Sequence, residues 1–412
     1  MSNSIYLLSV ALLSMASCGV NKSKTNSAEP GTRVLNAKSV ETGKPNTNYP
    51  PAFEGQTRVS AVVTSAAYEG KQITADLKSP WGITALPDGR LLVTQKKGSM
   101  VIVTPAGAVG EPITGIPAVN STAQGGLLDV IIDPNFATNR MLYWTFSESV
   151  EGGNLTAVAK GKLSADEKQI ENATVIYRAL PAYNNGMHYG SRIVMDPAGN
   201  LLVSTGERSD IETRPLAQDL NAALGKIVRI TKDGAPAAGN PFITRAGAKP
   251  EIYTYGHRNV QSLAYHPQTG VLWEAEFGPR GGDELNVITP GLNYGWPTIT
   301  YGIEYSGEKV GEAITQRKGM EQPRYYWDPV LAPSGMAFYK GNAIPEWKNN
   351  LFICGLASQH IARLVITGDK VTGEERLLAS EKQRFRAITN GTDGALYAVT
   401  DGGRMYRIGV KQ

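Results

Sequence analysis

The chain has 412 residues, a formal net charge of +4 and 41% hydrophobic residues. That is ample for a large core, and the mild positive charge comes with no Lys/Arg block and no basic helical face, which argues against nucleic acid as a partner. Its two cysteines, Cys18 and Cys354, can build neither a disulfide framework nor a zinc site.

Residues 5–16 are almost wholly apolar. They are too few to cross a bilayer, which takes about 20 residues, but they suit the core of a secretory signal. Ala16-Ser17 before Cys18 has the look of a bacterial lipoprotein signal. The expectation is a signal peptide over 1–17 and an exported, periplasmic or envelope-held protein. Its one membrane contact would be lipid on Cys18, the alternative being plain cleavage near Ser17. Residues 19–55 are rich in Ser, Thr, Asn, Lys, Pro and Gly and read as a flexible tether. The folded domain is expected over 59–412.

From there one unit recurs six times: a Pro/Asp/Asn/Gly turn followed at once by a short apolar strand. The copies are Leu86–Val93, Asp133–Phe146, Asp196–Val203, His266–Trp273, Asn349–Ile353 and Thr392–Val399. Even repetition of a turn-plus-strand unit, with poor helical periodicity throughout, predicts an all-β chain folded as a six-bladed β-propeller. Six units share more residues than the usual blade of about 40–50 each, so long loops are expected at 205–225, 278–300 and 301–335. Cys354 lies in an apolar strand and is expected to be a buried small hydrophobe.

The chain has four histidines. His188 stands just before a strand, and a neutral histidine at a channel mouth makes a good general base; a structural role is the competing reading. Glu207, at the far end of the strand that His188 precedes, could orient the ring. His266 opens a His-Pro turn, and His360 is expected at the surface. Gly256–Gln261 gathers polar donors before another strand. In Phe277–Glu284, Gly and Pro could turn backbone carbonyls toward a hard cation such as calcium, or form an ordinary turn. Arg384 and Arg386 share one strand face. With Lys340 they would suit a multiply charged anion, if they are more than solvated strand ends.

Taken in chain order, Ser79–Gly82, Gln124–Asp129, His188–Arg192, Gly206-Glu207, Arg214–Leu220 with Gly225-Lys226, Tyr255–Gln261, Gly278–Glu284, Asn293–Pro297, Tyr301–Gly307, Pro333–Tyr339 and Arg384–Arg386 with Asp401 resemble the soluble quinoprotein sugar dehydrogenases, in their aldose sugar dehydrogenase branch. The resemblance covers about residues 75–410. It implies an enzyme that uses pyrroloquinoline quinone (PQQ) and calcium to oxidise aldoses at the anomeric carbon to lactones, with His188 as general base and hydride passing to the quinone. It further implies Glu207 as the acid beside that base and Arg258 at the developing negative oxygen. Gln124, Arg258, Asn259, Tyr305, Lys340, Arg384 and Arg386 would contact the cofactor. Gly278 and Pro279 would offer carbonyls to the calcium at the quinone, and Glu284 and Tyr294 would hold a second, structural calcium. The competing readings are a calcium-dependent lactonase-like propeller hydrolase and a surface binding propeller without catalysis. Which sugar or alcohol is the donor, what accepts the electrons, and whether the protein is a monomer or a homodimer are left open.

Overall fold

The computed structural model describes residue 1 and residues 33–411. The apolar segment 5–16, Cys18 and the first part of the tether, residues 19–32, lie outside the described residues. Six sheets follow one another along the chain. Blade 1 is Pro80–Ala85, Leu91–Gln95 and Ser99–Val103. Blade 2 is Leu127–Ile132, Met141–Val150, Gly153–Leu163 and Ile170–Arg178. Blade 3 is Ile193–Met195, Leu201–Ser204, Lys226–Ile230 and Ile252–Tyr255. Blade 4 is Val260–Tyr265, Leu272–Glu276, Asp283–Ile288 and Tyr325–Trp327. Blade 5 is Pro333–Phe338, Leu351–Gly355, Ile361–Thr367 and Lys370–Leu377. Blade 6 is Phe385–Asn390, Leu396–Thr400 and Met405–Val410, completed by the early strand Tyr68–Thr74. That last pairing, with Met405 opposite Thr74 and Val410 opposite Tyr68, ties the two ends of the domain into one sheet. The first strands of the six blades touch in sequence, and the sixth returns to the first. The fold is a six-bladed β-propeller.

All six turn signals fall at one structural position, the connection between a blade's first and second strands. The core lies between blades rather than on the axis. Leu91 and Val93 pack toward blade 6, whereas Leu92, one residue along, packs toward blade 2. Each of the six interfaces has its own apolar cluster. A strand buried on both faces reads as a continuous apolar run, which is why Leu91-Leu-Val93 does not alternate. Cys354 is one of these side chains, fully buried between blades 5 and 6, and burial pushes its thiol up to about 12.

Three expectations need correction. Residues 278–300 and 301–335 are not wholly loop, because Asp283–Ile288 and Tyr325–Trp327 supply the outer strands of blade 4. His360 is buried, 4% exposed, with Nδ1 on the Ser358 carbonyl. The tether does not run to residue 55. Arg33–Ser39 pairs with Ser60–Val63, which adds a parallel edge to blade 5. Between them the chain lies against blades 4 and 5: Arg58 donates to the carbonyls of Glu41, Gly43 and Asp328, and Gln56 bonds Tyr301 and Pro323. Its polar residues, which read as solvated, are instead consumed by buried partners.

At the centre, Arg192 of blade 3 reaches every other blade. Its guanidinium donates to Asp129 of blade 2 at 3.1 Å, the Gln261 carbonyl of blade 4 at 2.6 Å, Ser334 of blade 5 at 3.4 Å and the Arg386 carbonyl of blade 6 at 3.0 Å. It also lies 4.2 Å from the ring centre of Trp81 in blade 1. Removing it would leave a buried carboxylate and several acceptors unsatisfied. Arg192 lines a cavity at one mouth of the channel, and its partner residues Gln261 and Arg386 line a second cavity at the other.

Candidate active site

In an antiparallel hairpin the start of the first strand lies beside the end of the second: Val260 faces Glu276, and Phe385 faces Thr400. Residues just before a first strand and just after a second strand therefore share one mouth. Gln124, His188, Arg258, Asn259 and Arg384 are of the first kind, and Lys96, Glu207, Gly278 and Asp401 of the second. The cavity at this mouth has a volume of about 390 Å³ and is walled by Trp81, Lys96, Gln124, Gln261, Arg384 and Arg386. That volume suits a small organic ligand.

His188 is not one of its lining residues but is tied to one of them, Gln124. The backbone there is left-handed, φ +48°, and Ser191 follows at φ +78°. Such conformations cost about 1–3 kcal/mol each and persist only where the surroundings impose them. Gln124 imposes one, accepting the His188 N–H at 2.8 Å while its own N–H bonds Gly186. Arg208, buried and stacked on Tyr189, bonds the carbonyls of Met187 and Asn185 and so clamps the same loop. His188 Nδ1 lies 2.6 Å from Glu207 Oε1. The carboxylate assigns the proton to Nδ1 and leaves the Nε2 lone pair as the base. Burial, and then the charge of Arg258, lower the imidazole to about 4 despite Glu207. His188 is therefore neutral at physiological pH.

In the cofactor-free protein the His188 ring should titrate near pH 4 by NMR, so the base is competent above that pH and lost below it. Between the ordinary histidine value, about 6.5, and 4 the unfolded chain binds a proton that the folded chain does not, so acidification across that window lowers stability. A midpoint near 6.5 would mean that the ring is solvated and the site is not as described.

Arg258 donates to the Gly278 carbonyl at 2.7 Å, and its Nε has no partner. Asn259 accepts the Gly190 N–H, and its Nδ2 is likewise buried and unpartnered. Glu276 holds this pair from beneath, with Oε2 accepting the backbone N–H groups of Arg258 and Asn259. Asp283 fixes the following turn, taking N–H groups from Gly278, Leu331 and Ala332. Gly278 and Pro279 are thus presented by a rigid turn. Behind it, His257 Nδ1 lies 3.1 Å from Glu276, and its Nε2 is 2.9 Å from Thr254. His257, Glu274 and Glu276 bring one ligand atom each within 4.8 Å, an arrangement that could hold a metal ion. Burial and then the charge of Glu276 push Glu274 and Glu284 well above the usual carboxylate range. Glu284 and Tyr294 share a small cavity with Glu276. The Tyr294 hydroxyl is spent on the Val287 carbonyl and the Thr289 N–H.

Two expected contacts are misplaced. Lys340 follows the first strand of blade 5 instead of preceding it, so it emerges at the other mouth, in the cavity lined by Thr84, Met195 and Asn390. Tyr305 is 73% exposed and does not wall the cavity. Lys96 takes the place expected for Lys340. Its ammonium bonds the Ala123 carbonyl, and burial, then Arg386, lower its pKa. Lys96, Arg208 and the pair Glu274 and Glu276 were not singled out from sequence. The last two had a signal: acids at alternate positions of an otherwise apolar strand, facing one way.

Residues 77–407 match the family described as glucose/sorbosone dehydrogenase. The chain belongs to this family. It is 40% identical over 346 residues to an aldose sugar dehydrogenase of Escherichia coli, covering 83% of this chain and 92% of that one. An uncharacterised protein of Synechocystis is 35% identical over 416 residues, covering 97% of this chain and 94% of its own length. The PQQ-bound aldose sugar dehydrogenase of Streptomyces coelicolor superposes with a TM-score of 0.69 at 30% identity, over 84% of this chain and 99% of that one.

Proposed function

We propose that this protein oxidises aldoses at the anomeric carbon to lactones, with PQQ and calcium as cofactors. One observation carries the reading: a cationic cavity lies beside a neutral histidine held by a buried carboxylate. Lys96, Arg384 and Arg386 face Asp401 alone among acids in the cavity wall, an imbalance suited to the three carboxylates of PQQ. Arg258 Nε and Asn259 Nδ2 are buried donors lacking partners, as a site built for a polar planar ligand requires. The residues therefore fit the cofactor. Gln124, Arg258, Asn259, Lys96, Arg384 and Arg386 would hold it, and the carbonyls of Gly278 and Pro279 would face the calcium. When bound, the quinone supplies the electron sink and calcium the Lewis acidity.

The chain's own residues do the proton work. His188 Nε2 removes the proton of the anomeric hydroxyl, and Glu207 steadies the imidazolium that results. Arg258, whose charge already acts on His188, stabilises the negative sugar oxygen. A hydrolase reading would want a cluster of free carboxylates at this mouth to hold its metal, whereas Asp401 is bound by both Arg384 and Arg386 and Glu207 is engaged by the His188 ring.

The purified apo-protein should show no dye-linked aldose oxidation until both PQQ and calcium are added, and sugar should then bleach the bound quinone. Full activity with a chelator present and no quinone would overturn the assignment.

A further inference from the structure

Residues 39–58 precede the family-matched span 77–407, yet they reach the turn that carries Gly278 and Pro279. Asp328 is 4% exposed, and four donors meet its carboxylate. They are the Asn46 N–H at 2.8 Å, Asn46 Nδ2 at 2.9 Å, the Thr47 N–H at 3.1 Å and Thr47 Oγ1 at 3.2 Å, all from this segment. Asn46 Nδ2 also bonds the Pro329 carbonyl, and Asn46 Oδ1 accepts from Arg280 Nε at 3.2 Å. The turn presses directly on this knot. A Cβ on Gly281, φ +79°, would stand 2.7 Å from Asp328 Oδ1 and 3.1 Å from Asn46 Nδ2. One on Gly282, φ +69°, would stand 2.5 Å from the Gly302 nitrogen. Two glycines allow that contact where any other residue would push the turn away. The turn's own N–H bonds point to its two flanks, Gly282 to the Trp327 carbonyl and Arg280 to the Ile303 carbonyl. Trp327 adjoins Asp328, so the segment holds the frame on which Gly282 hangs.

We propose that residues 39–58 are a strap, and that its Asn46 and Thr47 are positioning residues, which through Asp328 hold the 278–282 turn in the shape that presents the Gly278 and Pro279 carbonyls. The strap is knotted at Asp328, stapled by Arg58, and anchored on blade 5 by the Glu41–Arg376 ion pair, 2.5 Å. Neither residue touches the cavity, so they act through the turn. The consequence for divalent-cation affinity rests on the functional reading above; the hold on the turn does not.

The test uses the full chain. Deleting residues 1–58 risks the edge of blade 5, so the diagnostic variant is Asn46→Ala, with Asn46→Asp as its partner: near-isosteric, but setting a second carboxylate against Asp328. Lys44→Ala, exposed on the strap, is the control. In the cofactor-free protein, hydrogen exchange at the Arg280 and Gly282 amides should quicken at least about tenfold in Asn46→Ala, the worth of one of the three side-chain hydrogen bonds it removes. It should quicken further in Asn46→Asp and stay unchanged in Lys44→Ala, with the blade amides of all three protected as in the parent. Calcium titrated in the presence of PQQ should bind about tenfold more weakly to Asn46→Ala, and kcat at saturating calcium should be restored. Unchanged exchange at both amides overturns the proposal whatever calcium does. Quickened exchange, in a protein whose parent shows no calcium-dependent protection of the turn, keeps the strap and overturns the cation reading.

Discussion

Replacing His188 by Gln is expected to lower kcat by at least about 10²–10⁴-fold, the usual worth of a positioned general base, while PQQ affinity and the thermal midpoint stay near those of the parent. Gln nearly conserves the volume of a side chain that is 4% exposed, so no cavity opens. It can also still donate to Glu207, which lies 2.6 Å from the native ring. What it cannot do is accept a proton near neutrality. The loss should therefore fall on kcat rather than on the sugar KM, because an interaction made only as the proton moves contributes to the transition state and little to the ground state. His257 cannot substitute. It is fully buried, with Glu276 on one ring nitrogen and Thr254 on the other, and Tyr294 stacks on its face at 4.7 Å. Stopped-flow reduction of bound quinone in the variant measures the step directly. An unchanged rate would remove His188 from the chemistry.

The fold was legible because its signal is local. A turn such as Leu86-Pro-Asp-Gly-Arg90 closes on itself through the Leu86–Arg90 backbone pair, and the strand after it is apolar because both its faces meet neighbouring blades. Blade 5 was the faintest copy: its turn is a longer segment holding the short helical turn Pro345–Trp347, of which the Asn349-Asn350 signal is only the end. His188 and Glu207 were legible as candidates, but their meeting was not, because it depends on the hairpin Ile193–Ser204 folding both of its open ends to one mouth. Lys340 was misplaced because it follows the first strand of its blade, which leads to the far mouth, whereas Lys96 follows the second strand of blade 1 and reaches the right one. The strap was hidden for another reason. Its Asn, Thr, Gln and Arg residues resemble a solvated linker until Asp328, some 280 residues away in sequence, turns up beneath them. Arg192 was visible within a motif, but nothing local says that a single guanidinium will meet all the other blades.

Arg386→Ala should weaken PQQ binding by about 10- to 100-fold, whereas Arg384→Ala should weaken it much less. The two side chains differ in setting. The Arg386 side chain is 14% exposed, lies 5.8 Å from the Trp81 ring centre, and holds Asp401 through Nε at 2.7 Å and Nη2 at 3.1 Å. Arg384 is 49% exposed and meets Asp401 through Nε alone at 3.0 Å. Charge-assisted bonds in a desolvated site are worth about 1.5–3 kcal/mol, which is the range given for Arg386. An exposed pair is worth about 1 kcal/mol or less. Asp401 makes the larger loss larger still. Burial raises its carboxyl pKa, but the charge and hydrogen bonds of Arg386, with those of Arg384, outweigh that and hold it below the usual range. With Arg386 gone, Arg384 alone would be left to pair with it, so the Asp401 carboxylate would face the ligand's carboxylates with one neutralising partner fewer. The double variant Arg386→Ala/Asp401→Ala should accordingly bind PQQ more tightly than Arg386→Ala alone, a non-additivity that a merely structural role for the arginine would not produce. Sugar KM in cofactor-saturated protein should change little in all three, since these groups touch the cofactor. Fluorescence titration of PQQ into each apo-variant decides the matter: equal affinity for the parent and Arg386→Ala would take this cavity out of cofactor binding.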